Sequence, residues 1–184
     1  MENLNRALFL DRDGVVNREV GYLWKAEQIE FMPGIFELCR TAQQRGYKLI
    51  VLTNQSGIAR QLYSETDFHT LMGCMIAEFT RQHVRLDGYY YCPHHPDHGV
   101  GKYRLDCAAR KPQPGMLLSA ARDHGVDAAQ SVLIGDRCSD ILAGTAAAIG
   151  KLLLFEGTGP RPCPPGCSYT HISTLSEAIL FLAS

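Results

Sequence analysis

Short apolar runs separated by stretches with helical spacing leave this chain few ways to fold. Ala7-Leu8-Phe9-Leu10 and Leu49-Ile50-Val51-Leu52 are continuous runs, residues 131–134 and 151–155 form two more, and Tyr89-Tyr90-Tyr91 is an aromatic one. Runs of this length read as strands buried on both faces, the habit of a parallel sheet. Between them lie helix patterns. One is expected over residues 34–45, with Ile35, Leu38, Cys39 and Ala42 on one face and Gly46 as its stop. Ser64-Glu65-Thr66-Asp67 resembles a capping box ahead of the stripe Phe68, Leu71, Met72, Met75, Ile76 and Phe79. Further helices are expected over 115–124 and 139–148, and past Phe155 only 175–182 looks helical. The alternation predicts the α/β class: a parallel sheet with helices on both faces.

At 184 residues and 46% hydrophobic, the chain suits one core, and a single domain over 1–184 is expected. Net charge is -1, and Lys and Arg form no block or stripe, so no nucleic-acid partner is expected. No stretch approaches the roughly 18 apolar residues of a membrane span, which excludes a membrane role and leads us to expect a soluble, cytoplasmic monomer. Seven cysteines without an export signal argue against a disulfide framework and for buried thiols or metal ligands. Cys163 and Cys167, among prolines, read as residues of an ordinary loop.

Where the runs end, chemistry collects. Asp11-Arg12-Asp13-Gly14 follows the first run, Thr53-Asn54 the second, a Cys/His/Pro segment beginning at Cys92 the third, and Gly135-Asp136 with Asp140 the fourth. Asp-Gly alone is a common turn. Right-handed crossovers, however, bring strand ends to one sheet edge, where such folds bind ligands, and Lys111 then becomes a counter-charge for carboxylates or for an anion.

The motifs Asp11-x-Asp13-Gly14, Thr53-Asn54, Lys111 and Gly135-Asp136-x-x-x-Asp140, in that order and spacing, resemble the four-motif signature of the haloacid dehalogenase superfamily of aspartyl phosphatases. The resemblance implies a Rossmann-like fold, without a large cap domain because neither gap between motifs shows enough independent core, and with a short Cys/His loop insertion over 92–110. It makes Asp11 the nucleophile and Asp13 the group that protonates the leaving oxygen and then activates water, with a pKa expected to be raised by the neighbouring carboxylate. Thr53 would bind a phosphoryl oxygen and Lys111 would offset charge. Magnesium is implied, on Asp11, the backbone carbonyl of Asp13, and Asp136. Asp140 would steady Lys111 or the magnesium shell, or serve as a charge at a helix N-terminus.

Residues 53–60, Cys92-Pro93-His94-His95-Pro96 and Arg110-Lys111-Pro112 narrow the resemblance to a branch acting on a small phosphorylated sugar with two phosphates. In that branch the loop 15–32, through Glu19, Val20, Gly21 and Tyr22, and the run of Thr53, Asn54, Gln55 and Ser56 contact the sugar, while Arg110 binds the remote phosphate through its planar fork. A histidinol-phosphate phosphatase is the alternative within the superfamily, and a non-catalytic binding module the alternative outside it. The branch also carries a zinc loop, matched here by Cys92, His94 and Cys107, but Ala109 stands where the fourth ligand belongs. Zinc is therefore expected to be weakened or absent, with His95, His98, Asp106 or water as possible substitutes.

Overall fold

The computed structural model describes residues 5–156, 163–164 and 166–183. Six parallel strands form its sheet: β1 (Arg6–Asp11), β2 (Tyr47–Asn54), β3 (Gly88–Cys92), β4 (Val132–Gly135), β5 (Lys151–Phe155) and β6 (Thr170–Ile172). Their order is β3-β2-β1-β4-β5-β6, so the winding reverses between β1 and β4. This is a doubly wound α/β sheet of the Rossmann type, which opens a crevice at the reversal.

Alternation along β1 sorts side chains between two layers. Leu8 and Leu10 pack with Ile35 and Leu38 of α1 (Ile35–Gln44) and with Phe68 and Met72 of α3 (Glu65–Arg81). Ala7 and Phe9 pack on the other face with Met116 and Leu117 of α4 (Gly115–His124) and Ile141 of α5 (Cys138–Ala146). The same alternation aims the two residues at the end of the strand. Asp11 shares the face of Ala7 and Phe9, toward the segment before α4 and the first turn of α5, while Arg12 turns toward α3.

The helix ends match their sequence signals. Ser64 caps α3: its hydroxyl accepts from Asp67 N at 3.1 Å, and Asp67 Oδ2 accepts from Ser64 N at 2.8 Å. α4 ends on Gly125 in the left-handed region, φ 59°. The loop 15–32 holds only two isolated bridges at Asn17 and one 3-10 turn, Ala26–Gln28. No second sheet forms among the described residues, and no helix is long and apolar enough to cross a membrane.

Four features depart from expectation. β6 is a sixth strand, and the C-terminal segment is a 3-10 helix, Glu177–Phe181, rather than an α-helix. A one-turn helix, α2 (Ser56–Ala59), follows β2. Cys138 and Cys163, expected to be unbonded, form a disulfide with their Cα atoms 5.2 Å apart. The reason is topological: β4 pairs with β5, so the segments leaving their ends are neighbours. Cys167 stays a free, partly buried thiol, and the loop expected at Pro160, Pro162 and Pro165 lies outside the described residues.

Candidate active site

A cleft of about 480 Å³ opens at the strand ends flanking the reversal. At its floor, Asp11 Oδ1 accepts a 2.5 Å hydrogen bond from Lys111 Nζ. The same ammonium lies 2.6 Å from Asp140 Oδ1 and donates to the Leu52 carbonyl at 3.1 Å. Burial pulls the Lys111 pKa down, but Asp11 and Asp140 outweigh it and hold the ammonium above its ordinary value. Burial pushes Asp11 well up; Lys111 opposes this, while Asp140, Asp136 and Asp13 add to it. Lys111 thus serves two carboxylates and Arg137, 3.9 Å from Asp136, flanks a third, so acidic groups crowd the site.

That crowding suits the binding of a cation. Carboxylate oxygens of Asp11, Asp136 and Asp140 lie within 4.8 Å of one another. Asp136 Oδ1 is buried with no hydrogen-bond partner, a cost of about 1–3 kcal/mol or more for a charged group. Burial, then Asp140, pushes the Asp136 pKa up to about 6. Gly14 makes room for it: with φ +99°, an added Cβ would sit 2.3 Å from Asp136 Oδ2. Clustered hard oxygens of this kind suit magnesium. The second oxygen of Asp140 accepts from Arg137 N at 3.0 Å at the start of α5.

Around this floor stand the other expected residues. Thr53, buried at the end of β2, accepts at Oγ1 from Gln55 Nε2 at 2.7 Å. Asn54 is turned to the opposite face and bonds the backbone of Lys111. Glu19, Gly21, Tyr22, Ser56 and Arg110 line the cleft, whereas Val20 does not and is 48% exposed. Glu19 accepts from Gly21 N at 2.7 Å and pairs with Arg137 at 2.7 Å, tying the loop 15–32 to the turn after β4.

Asp13 lies in a different setting from the one expected. Its immediate partners are donors rather than another carboxylate: Arg12, Asn17 and Gln55 all bond it. Sequence reasoning passed over Arg12, Asn17, Tyr63 and Arg137. Their only signal was a charge or amide beside a motif residue, which is as common on a surface as in a site.

The Cys/His loop keeps its three expected ligands together. Donor atoms of Cys92, His94 and Cys107 lie within 4.8 Å of one another, with Cys92 Sγ 3.8 Å from His94 Nδ1. Burial pushes the Cys92 thiol up to about 12. No fourth His, Cys, Asp or Glu joins them among the described residues. His95 faces its own turn, with Nδ1 accepting from Asp97 N and His98 N. The set has the chemistry of a zinc site with one position left for a non-protein ligand. Arg110 Nη1 donates to the His94 carbonyl at 3.0 Å, so this loop also braces the cleft.

An open parallel sheet with Asp, Thr, Lys and Asp at the ends of β1 and β2 and beside β4 defines a HAD-like hydrolase, and a HAD-hydrolase-like family model matches residues 108–162. The D-glycero-alpha-D-manno-heptose-1,7-bisphosphate 7-phosphatase of Burkholderia mallei is 50% identical over 82% of this chain and 80% of its own length. The D-glycero-beta-D-manno-heptose-1,7-bisphosphate 7-phosphatase of Vibrio cholerae is 46% identical over 84% and 83%. The structure of D,D-heptose 1,7-bisphosphate phosphatase from B. bronchiseptica, complexed with magnesium and phosphate, superposes with a TM-score of 0.82 at 27% identity, covering 96% of this chain and 97% of that one. The chain belongs to the D-glycero-D-manno-heptose-1,7-bisphosphate 7-phosphatase family of HAD-like hydrolases, and it is a phosphatase.

Proposed function

We propose that this enzyme removes the 7-phosphate of D-glycero-D-manno-heptose 1,7-bisphosphate with magnesium and through an aspartyl phosphate, as a cytoplasmic monomer in the supply of nucleotide-activated heptose for lipopolysaccharide and other surface glycans. The observation that carries it is Asp11 held by Lys111 beneath a cleft that also exposes Arg110, an anchor suited to a second phosphate.

In this mechanism an Asp11 carboxylate oxygen attacks the 7-phosphorus and the bond from phosphorus to the sugar oxygen breaks. Asp13 gives that oxygen its proton as it leaves. Water then attacks the phosphoryl-Asp11, Asp13 takes a proton from it, and inorganic phosphate departs with Asp11 restored. Lys111 offsets charge on Asp11 and on the phosphoryl oxygens, and Thr53 donates its hydroxyl proton to one of them. Asp11, the Asp13 carbonyl and Asp136 would hold magnesium, which when bound supplies charge neutralisation at the non-bridging oxygens. The loop 15–32 and Ser56 grip the sugar and Arg110 the 1-phosphate. In the Cys/His loop, Cys92, His94 and Cys107 are proposed to hold zinc more weakly than a four-ligand site does.

Phosphate release from both anomers and from histidinol phosphate, with magnesium, tests the reading, because specificity is the ratio of kcat/KM values. The heptose substrates are expected to lead by at least about tenfold. A higher ratio for histidinol phosphate, or turnover by Asp11→Asn after contamination is excluded, would overturn it.

A further inference from the structure

We propose that Arg12, Gln55 and Tyr63 form a positioning assembly that fixes the Asp13 carboxylate for proton transfer to the leaving sugar oxygen. The inference rests on the reading of Asp13 as the proton-transfer group and deepens it.

Arg12 is the anomaly that leads to it. Its side chain is 1% exposed, and a guanidinium is seldom buried without a paired charge. Among the described residues the carboxylate paired with it is Asp13, in a forked contact: Nε to Oδ1 at 3.1 Å and Nη2 to Oδ2 at 2.8 Å. A fork fixes the plane of a carboxylate as well as its place. The guanidinium is itself fixed, lying over the Phe68 ring at 5.5 Å with Nη2 also donating to the Leu23 carbonyl at 3.3 Å. Strand alternation produces this, since one residue past Asp11 the chain faces α3, where Phe68 lies.

Gln55 completes the clamp from the other side. Its Nε2 donates to Asp13 Oδ2 at 3.2 Å and to Thr53 Oγ1 at 2.7 Å, and its Oε1 accepts from Tyr63 OH at 2.6 Å. A carboxylate only accepts, so the amide must turn its NH2 to Asp13 and its oxygen to Tyr63. The Gln55 side chain is 1% exposed, with donors and acceptor all engaged, which suits orientation of Asp13 and Thr53 better than contact with a sugar. Burial pushes the Tyr63 hydroxyl up to about 12, so it keeps the proton it donates. Gly57 belongs to the same device: a Cβ there would sit 2.2 Å from the Tyr63 ring. Gln55, Gly57 and Tyr63 therefore act together to seat one carboxylate.

A positioning role predicts losses that depend on the leaving group. A sugar alkoxide needs a proton as it departs, and p-nitrophenolate does not. First-turnover rates should therefore be measured for the heptose bisphosphate by quenched flow and for p-nitrophenyl phosphate by stopped flow. Asp13→Asn should slow the first by about 10²–10⁴-fold and the second by far less. Arg12→Lys keeps the charge but loses the fork, and Tyr63→Phe keeps the ring but frees Gln55. Both should show the same selectivity at smaller size, roughly tenfold or more on the sugar for Arg12→Lys and a few-fold for Tyr63→Phe. If Arg12→Lys does not fold, Tyr63→Phe decides alone. Equal losses on both substrates, or no loss on either, would overturn the assembly. Absence of selectivity in Asp13→Asn would instead overturn the underlying assignment of Asp13.

Discussion

Asn54 grips Lys111 with both ends of its amide: Nδ2 donates to the Lys111 carbonyl at 2.9 Å and Oδ1 accepts from the Lys111 N–H at 3.1 Å. The exchange resembles one rung of a β-ladder and anchors the backbone that carries the site's ammonium to the end of β2. Asn54→Ala should therefore act through Lys111. We expect a loss of about 1–3 kcal/mol in urea unfolding, from the two abandoned backbone groups, together with a fall in kcat. Unchanged kcat with raised KM would mean that Asn54 serves the sugar directly.

Lys111→Met tests the charge balance at the floor. It leaves Asp11 and Asp140 buried without their shared cation, and removing one partner of a buried pair costs about 3–5 kcal/mol. Turnover should vanish. Magnesium should restore part of the stability, read as a larger rise in Tm than in the parent protein.

Asp136 gives that stability a pH dependence. In metal-free protein its folded-state pKa of about 6 lies above the 3.8 of a free aspartate. Between those values the folded state holds a proton that the unfolded state has released, so stability falls as pH rises through the window, by roughly 3 kcal/mol. Magnesium needs the ionised form, so its stabilising effect should appear above pH 6 and fade below it. Thermal unfolding with and without magnesium from pH 5 to 8 checks this; an equal shift at both ends would show that Asp136 holds no metal.

Gly14→Ala should weaken magnesium binding without replacing a carboxylate. The added Cβ would fall on Asp136 Oδ2 in a backbone region that L side chains rarely adopt. Magnesium affinity by calorimetry should drop by at least about tenfold, the kind of loss seen when groups that support a metal ligand are altered.

For the Cys/His loop, Ala109→Cys should return the missing ligand. Zinc content after purification should rise toward one equivalent and chelator resistance should increase, while the parent, with only Cys92, His94 and Cys107 as protein donors, should lose zinc readily to chelator. Equal and tight binding by both proteins would mean that a non-protein ligand already closes the site.

The positions at strand ends were legible because a parallel sheet dictates where its strands finish. Asp11, Thr53 and Asp136 follow apolar runs and could be placed from them, while Lys111 follows a loop and was drawn in by the four-motif resemblance. β6 could not, since Thr170-His171-Ile172 is three residues long and mostly polar, and its pairing with β5 is set by a neighbour rather than by its own sequence. The Cys138–Cys163 bond was hidden for the same reason, as it depends on which strands are adjacent. Inward-facing polar groups were the other blind spot. Nothing local marks Arg12 as buried or Gln55 as fully engaged, because burial of a polar side chain depends on partners from distant segments.

The central place of β1 sets what can change in this molecule and what stays put. It is bonded on both sides, to β2 and β4, and its last five residues are buried, so its amides should be among the slowest to exchange. The loop after it is anchored by the bridges at Asn17, by Arg18 N donating to the Glu30 carbonyl, by the Glu19–Arg137 pair and by buried Val15, Val16 and Leu23, while Val20, Tyr22 and Trp24 stand exposed along it. Asp11 is thus seated at the end of a central, buried strand, while Val20, Tyr22 and Trp24 occupy the exposed side of the loop that follows. Under the proposed reading, substitutions at those exposed positions should shift which sugar is accepted without reopening the core that carries Asp11, so drift in substrate range and retention of the reaction are physically separable here.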